Sequence, residues 1–268
     1  MMKKILSALL ILGLLLAIVP SAHAVSLQVN NTTVIDKVLL YNSTTYVPLR
    51  ATSLSLCPSA TVSWESNTAI VRSSNLTIAA RPGEYYIDAN GRKLFVKDSI
   101  KLVNGTTMVP VRVLAKAMGA TVGWDAATEK VSLNAGSNTI LSGKEYYISD
   151  SLYWLSRIIN AESGGEPLFG KIAVGNVVLN RVASSDFPNS IYGVIFDDVG
   201  GTQFTPVANE TIYNTPSAES LLAAKLCLDG ASVVGGSLFF LNPTVATSSW
   251  ITRTRAYIAT IGNHKFYA

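Results

Sequence analysis

The chain has 268 residues, which is enough for one large domain or two of ordinary size. Only 14% of the residues are charged, and aliphatic residues, Ser, Thr and Asn are plentiful, so an intrinsically disordered chain is excluded. The formal net charge is +4, and it falls to +2 without Lys3 and Lys4. This weak excess does not indicate nucleic-acid binding, but it fits attraction to a polyanionic cell envelope.

Residues 1–24 have the pattern of a secretory signal peptide. Lys3 and Lys4 form a positive start, residues 5–19 an apolar run, and Ala22-His23-Ala24 a small-residue cleavage site. The apolar run is short for a membrane span. We therefore expect cleavage before Val25 and a secreted, cell-envelope protein with no membrane span after cleavage.

Similar blocks in the first half of the chain indicate an internal repeat. Their spacing of 60 to 62 residues predicts a duplicated supersecondary unit. Each unit is predicted to contain a strand, a turn, a strand ending in Val-Pro, a short helix and a hairpin. The paired blocks are NSTTYVPLR from Asn42 and NGTTMVPVR from Asn104, ATVSWE from Ala60 and ATVGWD from Ala120, and EYYI from Glu84 and from Glu145.

The tryptophans of the repeat, Trp64 and Trp124, are interpreted as core anchors, with exposed sugar stacking as the alternative. Residues 25–134 as a whole are predicted to form a β-rich α+β domain. They resemble the stalk-like domain named for the N-terminal region of copper amine oxidases. The resemblance implies a spacer or wall-proximal module without chemistry. These residues contain no His and one Cys, so the usual copper ligands are missing.

Residues 135–150 are rich in Gly and Ser and are expected to finish the last hairpin and serve as a linker. Residues 151–268 then change to helical patterning, with Glu162 at the centre. Leu155, Ile158 and Ile159 share one helical face with Glu162.

Gly164-Gly165 predicts a left-handed end to this helix, which places Glu162 in the last turn. Burial and the negative end of the helix dipole would raise the pKa of Glu162, so that it could carry a proton near neutral pH and deliver it. The alternative is a solvated Glu162 at a frayed helix end.

The remainder of this half predicts helices first and strands last, an α+β domain. Glu166-Pro167 reads as the charged start of a helix, which we favour over a catalytic role for Glu166. Asn180 and Arg181 either hold the Glu162 loop or end their own helix. The predicted elements are helices at 168–182, 191–196 and 217–228, a long functional or disordered loop at 197–214, a strand at 238–241, and two strand-like runs in 250–267 around Gly262-Asn263.

Several enzyme classes are excluded by missing residues. His264 is the single histidine after residue 24, which removes most zinc enzymes, and no HExxH, GxSxG or CxxC motif occurs. Cys57 and Cys227 are interpreted as free thiols. No metal or cofactor is predicted. Carboxylate chemistry remains, and no second acid shows a buried register; the candidates are Glu166, Asp186, Asp197, Asp198 and Glu210.

Residues 155–268 resemble the catalytic domain of the SleB-type cell wall hydrolases, the group that includes spore-cortex-lytic enzymes. The resemblance implies a lysozyme-like helical core, as in lytic transglycosylases. The matching blocks are AESGGEP from Ala161, GKIAVGNVVLNRV from Gly170, FPNSIYGVI from Phe187, QFTPV from Gln203, LFFLNPTVATSSW from Leu238 and IGNHKFY from Ile261.

By this resemblance the partner is peptidoglycan, cut between N-acetylmuramic acid and N-acetylglucosamine. Glu162 would protonate the glycosidic oxygen and then accept the proton of the muramic C6 hydroxyl, which closes a 1,6-anhydro ring. Gln203, Asn242 and Thr244 are nominated on their chemistry to stabilise the transition state. The candidates for sugar stacking are Phe204 and Trp250, with core packing as the favoured alternative for Trp250.

Two other functions stay open. One is a hydrolysing muramidase that uses Glu162 and a second carboxylate such as Asp198. The other is a wall-binding structural protein with an inactive enzyme domain. Spore enzymes of this type are associated with a small helical peptidoglycan-binding module in place of the stalk-like repeat. Both the spore cortex degraded in germination and the vegetative wall therefore remain candidate substrates.

Overall fold

The structure is a computed structural model that describes residues 25–34, 38–136, 139–199, 201, 203–246 and 248–268. The expected signal peptide lies outside these residues. Within the described ranges, no helix has the length and apolar character needed to cross a membrane. The chain divides into a β-rich first part and a mainly helical second part.

The first part is built from short strands with two helices of eight residues each. The helices are α1 (Leu49–Leu56) and α2 (Val111–Met118). The strands are β1 (Ser26–Val29), β2 (Thr32–Val34), β3 (Leu39–Tyr41), β4 (Thr44–Pro48), β5 (Thr61–Glu65), β6 (Thr68–Arg72), β7 (Thr77–Ala80), β8 (Tyr86–Ala89), β9 (Arg92–Phe95), β10 (Lys101–Val103), β11 (Thr106–Pro110), β12 (Thr121–Asp125) and β13 (Lys130–Asn134).

These strands form sheets in the orders β12-β13-β1-β2, β10-β11-β4-β3 and β5-β6-β7-β8-β9. The first strand of the part runs parallel to the last, with Leu27 opposite Val131. Leu27, Val47, Leu114 and Val131 belong to one buried apolar cluster under the sheets. The beginning and end of this part are therefore held in one sheet over one core.

The two Val-Pro blocks have the same elements in the same order. In each block a strand ends in Pro, a helix follows directly, and an antiparallel hairpin carries the Trp. The two strands pair with each other, with Val47 opposite Val109. The EYYI echo behaves differently, because Tyr86 and Ile87 begin β8 whereas Glu145 and Tyr146 end a helix. The predicted structural equivalence of these two tetrapeptides is wrong.

Trp64 and Trp124 are 50% and 49% exposed, so their interpretation as core anchors is also wrong. They lie on β5 and β12, each an edge strand of its sheet. The buried positions of each hairpin lie on the second strand, where Val71 and Leu133 are at most 1% exposed. The tryptophans therefore face outward from the sheet edges.

The second part begins with helices and ends with a small sheet. The sheet has the order β14-β16-β15. The helices are α3 (Gly143–Tyr146), α4 (Ser149–Ser163), α5 (Leu168–Ala183), α6 (Ile191–Ile195), α7 (Thr205–Ala208), α8 (Ala218–Leu228) and α9 (Trp250–Thr254), with a 3-10 turn at Thr211–Tyr213. The strands are β14 (Phe239–Leu241), β15 (Tyr257–Ile261) and β16 (His264–Tyr267).

The segment after Trp250 differs from its prediction, since it begins with helix α9 and only then forms strands. The loop predicted at 197–214 contains α7 and the 3-10 turn. Gly164 is right-handed, with φ −54° and ψ −35°, so the predicted left-handed helix end is wrong.

Helices α4, α5 and α8 pack against one another and form the centre of this part. Leu155, Ile158 and Ile159 are fully buried, which confirms the predicted apolar stripe of α4. Cys227 on α8 lies against α5, where its thiol is 3.4 Å from the Ile172 carbonyl oxygen. Burial raises the pKa of this thiol, so it stays protonated and inert.

The described residues 139–150 of the expected linker contain a short helix and contact both parts of the chain. Its helix α3 starts with a capping box between Ser142 and Glu145. Tyr147 donates a 2.5 Å hydrogen bond to the Asp229 carboxylate, which also pairs with Arg92 of β9. Lys116 of α2 donates to the Asp229 carbonyl oxygen at 2.7 Å. The Asp229 side chain is fully buried, so this cluster fixes the end of α8 to the β-rich part.

Candidate active site

A cleft of about 850 Å³ opens between the end of α4 and the small sheet. Its walls come from five regions of the sequence: the end of α4 with the turn after it, α5, the segment around the start of α7, β14 with the residues up to α9, and the start of β16. The lining residues are Glu162, Ser163, Gly165, Glu166, Arg181, Val199, Gln203, Phe204, Thr205, Phe239, Phe240, Leu241, Asn242, Val245, Ala246, Trp250, Ile251 and His264.

Glu162 stands in the last turn of α4, where the buried stripe of the helix reaches the cleft. Burial raises the pKa of its carboxyl group to about 7, and the positive charge of Arg181 opposes this rise. Within the described part of the chain, no hydrogen bond to the carboxyl oxygens of Glu162 is found. The group can therefore exchange a proton with a molecule in the cleft near neutral pH.

Arg181 of α5 is 5% exposed and stands behind the cleft wall. Its Nε atom donates to the Leu238 carbonyl oxygen at 2.8 Å, and its guanidinium lies over the rings of Phe187 and Phe239. Its buried Nη1 atom has no hydrogen-bond partner among the described residues. Burial lowers the pKa of Arg181 to about 10, so it remains a cation beside Glu162 at neutral pH.

Glu166 lies just before α5, where a helix-start charge was predicted, but it is only 8% exposed. The Asn263 backbone N–H donates to its Oε2 at 2.9 Å, and the Asn263 side-chain amide donates to its Oε1 at 2.8 Å. Burial alone would raise the pKa of Glu166, but these two hydrogen bonds, together with nearby positive charge such as that of Lys171, hold the pKa below its ordinary value. Glu166 is therefore a fixed negative charge in the cleft wall.

The contact to Glu166 depends on the glycine of the predicted turn. Gly262 has φ +59°, and a Cβ atom built there would lie 1.8 Å from the Glu166 Oε2 atom. Only a residue without a side chain allows both this left-handed conformation and this approach. The Gly262-Asn263 turn thus binds the carboxylate of Glu166, which lies 97 residues before Asn263 in the sequence.

His264 begins β16 and lies next to Glu166, with 3.9 Å between its Nδ1 and the Oε1 atom. Burial lowers its pKa, and the nearby charge of Glu166 opposes this effect. The imidazole is therefore neutral at neutral pH. Its Nδ1 atom is buried without a hydrogen-bond partner among the described residues, and its ring packs edge-on against Phe240.

Two predicted substrate-binding residues come from the segment before α7. Gln203 lines the cleft, but its amide group donates to the Val199 and Gly201 carbonyl oxygens at 3.2 and 3.1 Å. Phe204 is 2% exposed and belongs to the helical core, which leaves little of its ring for stacking on a sugar. Gln203 fixes its own loop, and Phe204 shapes the wall.

The other predicted residues lie after β14. Asn242 lines the cleft, and its Oδ1 atom accepts hydrogen bonds from the Thr244 N–H and hydroxyl at 3.0 and 2.7 Å. Thr244 itself is not a lining residue, so it acts by orienting Asn242. Trp250 is 46% exposed at the mouth of the cleft, against Phe239 on one side. The favoured interpretation of Trp250 as core packing is wrong.

Polar residues of α5 hold the wall opposite α4. Asn176 is bonded to the backbone of Ala231 and Val233 at 2.6 and 2.9 Å. Asn180 donates to the carbonyl oxygens of Gly235 and Ser237 at 2.8 and 2.9 Å. The side chain of Asn180 therefore fixes the segment before β14, and this differs from both predicted roles.

Asn263 and His264 were not predicted as site residues, and Glu166 and Arg181 were named only as alternatives. Their positions follow from contacts across the fold that no local pattern encodes. The sequence signal that did exist was weak: a Gly-Asn turn followed by the single His. Among the residues that the structure describes, no group of three or more His, Cys, Asp or Glu side chains is placed to hold a metal ion.

Comparison with protein families assigns both parts of the chain. The family model described as Cell Wall Hydrolase matches residues 165–267, and the one described as Copper amine oxidase N-terminal domain matches residues 28–133. The first match begins three residues after Glu162 and therefore does not test that residue.

Curated relatives match about half of the chain. A spore cortex-lytic enzyme of Bacillus cereus is 38% identical over 144 residues, or 54% of this chain and 52% of the relative. The spore cortex-lytic enzyme of Bacillus subtilis is 36% identical over 120 residues, or 45% of this chain and 38% of the relative. The chain thus spans about half the length, or less, of these relatives.

A solved structure is also similar in sequence. The catalytic domain of the germination-specific lytic transglycosylase SleB from Bacillus anthracis is 38% identical, with a TM-score of 0.43. The match covers 48% of this chain and all of that domain. Residues 165–267 of the chain therefore belong to the cell wall hydrolase family, and a copper amine oxidase N-terminal domain precedes them.

Proposed function

We propose that this chain is a peptidoglycan lytic transglycosylase with Glu162 as its general acid and base. The observation that carries the proposal is a carboxyl group with a pKa of about 7 that opens into a cleft of about 850 Å³. A residue that first donates and then accepts a proton needs both forms populated near neutral pH. The names of the relatives, spore cortex-lytic enzymes, support peptidoglycan as the substrate class.

In the proposed reaction Glu162 protonates the glycosidic oxygen between N-acetylmuramic acid and N-acetylglucosamine as that bond breaks. The resulting carboxylate accepts the proton of the muramic C6 hydroxyl, while the C6 oxygen bonds to C1 and closes the 1,6-anhydro ring. Arg181 stabilises the carboxylate between these two transfers, because its charge favours the ionised form of Glu162. Water takes no part in the step.

Substrate contacts are proposed for the outer wall of the cleft. Trp250 offers an exposed ring for sugar stacking, and Asn242, oriented by Thr244, offers a side-chain amide. Gln203 and Phe204 define the opposite wall. We expect these residues to change KM more than kcat, because they hold the sugars on either side of the bond that breaks.

The wider organisation belongs to the same proposal. Residues 151–268 form the catalytic domain, with α4, α5 and α8 as a lysozyme-like helical core. Residues 25–134 form a duplicated stalk-like domain, joined through residues 135–150. A signal peptide at residues 1–24 exports the protein to the cell envelope. The substrate is spore cortex or vegetative peptidoglycan.

Mass spectrometry of digested peptidoglycan tests the proposal. Mature protein and Glu162→Gln are incubated with cortex and with vegetative sacculi, and the released fragments are analysed. Anhydromuropeptides from the wild type and none from Glu162→Gln are expected. Binding of either substrate without release of fragments would instead make the chain an inactive wall-binding protein.

A hydrolysing muramidase is the second candidate, and Glu166 is the observation that favours it. Glu166 is an ionised carboxylate in the same cleft wall as Glu162, whereas Asp198, the previously suggested partner, does not line the cleft. Digestion in ¹⁸O-labelled water separates the two reactions. A muramidase places the label on the new reducing end, whereas the proposed transglycosylase leaves its products unlabelled.

A further inference from the structure

Two grooves with matching composition lie in the β-rich part, away from the cleft. The Trp124 groove has a volume of about 450 Å³. Its lining residues include Val111, Arg112, Val122, Trp124 and the acidic Glu129, together with residues 43–45 at the start of β4. The Trp64 groove has a volume of about 220 Å³. Its lining residues include Leu49, Arg50, Val62 and Trp64, together with residues 105–107 at the start of β11.

The two repeat blocks exchange turns to build these grooves. Strands β4 and β11 pair antiparallel with Val47 opposite Val109, so the turn before each strand reaches the start of the helix that follows the other. The turn of the first block therefore completes the Trp124 groove, and the turn of the second completes the Trp64 groove. Neither groove is complete within one block.

Each groove combines an aromatic face, hydroxyl groups and a cation. Trp64 and Trp124 are each about half exposed, and the Val residue two positions earlier shares the same face of the strand. Thr hydroxyls come from the first residues of β4 and β11. Arg50 and Arg112 are exposed, and among the described residues neither guanidinium has a hydrogen-bond or ion-pair partner.

We propose that the Trp64 and Trp124 grooves bind the glycan strand of peptidoglycan at two points. The inference rests on the proposed function, which supplies this polymer as the substrate of the neighbouring domain. The negative face of an indole ring suits the C–H edges of a sugar ring. Thr hydroxyls bond to sugar hydroxyl and acetamido groups, and a guanidinium pairs with the carboxylates of muramic acid and its peptide.

The size of the grooves favours a sugar polymer over a folded protein partner. A stable protein interface buries about 800 Å² on each side in one continuous patch. Two separate grooves of about 450 and 220 Å³ instead each fit a short segment of a thin chain. Repetition of the same groove also suits a ligand that repeats the same unit.

The positive charge of the chain is concentrated in the β-rich part, as an anionic ligand of the grooves requires. Residues 25–134 contain eleven Lys and Arg against seven Asp and Glu, whereas residues 135–268 contain eight against ten. The β-rich part thus has a formal charge of +4, and the remainder has −2. The part with the grooves is the part that an anionic polymer attracts.

Binding at two linked points makes the two grooves cooperate. Once one groove holds a strand, the second binds at a high effective concentration, so loss of both grooves costs more than loss of either. We expect about threefold weaker binding to sacculi for one groove variant and at least about tenfold weaker binding for the double variant.

The experiment measures co-sedimentation of the mature chain with insoluble sacculi, in a Glu162→Gln background that keeps the polymer intact. Trp64→Leu with Trp124→Leu removes both aromatic faces and is expected to weaken binding at least about tenfold. Trp64→Phe with Trp124→Phe keeps aromatic rings and is expected to retain most of the affinity. Unchanged melting temperatures establish that all variants are folded.

The cations are tested separately. Arg50→Gln with Arg112→Gln is expected to weaken binding, whereas Lys97→Gln, an exposed charge of the same domain outside both grooves, is expected to leave it unchanged. Sacculi stripped of covalently attached anionic polymers are expected to bind as well as intact sacculi. Loss of binding on stripping would assign the grooves to those polymers and overturn the inference.

Fragment release by chains with an intact Glu162 is a separate readout. On short soluble glycans, the Leu double variant is expected to release products at the wild-type rate, because the cleft is unchanged. Wild-type release together with equal binding of wild type and Leu variant to sacculi would overturn the groove inference alone. No release from any substrate would overturn the proposed function, and the binding comparison could still be made.

Discussion

Two carboxyl groups, one in the cleft and one between the two parts of the chain, have opposite surroundings. Asp229 is fully buried and is paired with Arg92 and Tyr147. Glu162 is held in the cleft with a cation nearby but, among the described residues, no hydrogen bond to its carboxyl. A satisfied buried charge fixes structure, whereas an unsatisfied one keeps a raised pKa and can exchange its proton. Burial alone therefore does not identify the reactive group.

The largest expected effect is on the cleavage rate, and it comes from Glu162, the carboxyl group without a hydrogen bond among the described residues. Glu162→Gln removes the transferable proton, and we expect product release to fall by about 10²- to 10⁴-fold. The measurement is the initial rate on soluble glycan fragments. The matched control is Glu210→Gln, an exposed acid outside the cleft lining, which should keep the wild-type rate. An equal fall in both variants would contradict the role of Glu162.

Asp229, the carboxyl group with hydrogen-bond partners, should affect the stability of the fold and not the cleavage reaction. Asp229→Asn leaves the buried Arg92 without its counter-charge, and we expect a loss of about 3–5 kcal/mol in the free energy of unfolding. Urea denaturation measures this loss. Glu65→Gln breaks an exposed ion pair to Arg72 and serves as the control, with no measurable change expected. An equally small change in Asp229→Asn would show that the pair does not hold the two parts together.

Glu166 is intermediate between these two carboxyl groups: it accepts hydrogen bonds, as Asp229 does, but it lines the cleft, as Glu162 does. Gly262→Ala introduces left-handed strain of about 1–2 kcal/mol and also a side chain that collides with the Glu166 carboxylate. Gly235→Ala introduces comparable strain at φ +52° with no atom within 4 Å. We expect both variants to be less thermally stable than the wild type, Gly262→Ala more so because of the collision, and a lower cleavage rate only in Gly262→Ala. Equal rates in the two variants would make Glu166 irrelevant to the reaction.

The smallest effect is a change in stability with pH. Folding raises the pKa of Glu162 from an ordinary 4.5 to about 7, so between these values the folded chain keeps a proton that the unfolded chain has lost. The contribution of this residue is therefore present below about pH 4.5 and is lost as the pH rises through 7. Glu162→Gln should melt higher than wild type above pH 7, and the difference should narrow towards pH 5. A difference that does not depend on pH would contradict the raised pKa.

Sequence patterns predicted the parts of the site that depend on one helix. The register of α4 follows from the spacing of Leu155, Ile158 and Ile159, and it places Glu162 where the buried stripe meets the cleft. The turn at Gly262-Asn263 was also predicted. Both features are encoded within a few neighbouring residues, which is why a local pattern was sufficient.

The remainder depended on contacts between distant residues. The bond from Asn263 that fixes Glu166 spans 97 residues, and no periodicity reports it. The tetrapeptide EYYI has two different structures, because at Tyr86 it is completed by neighbouring strands and at Glu145 by a capping box with Ser142. Trp64 and Trp124 were placed in the core because aromatic residues near strands usually lie there, but edge-strand position decided otherwise.

The pairing of β1 with β13 has a consequence for how the chain acquires its structure. Leu27 of β1 pairs with Val131 of β13. The first strand of the domain therefore cannot form this pairing until its last strand is available. Local hairpins such as β5-β6 can close early, but the sheet that contains β1 is a contact of high sequence separation and forms late. The sheet β12-β13-β1-β2 can therefore be completed only when the chain is available as far as residue 134.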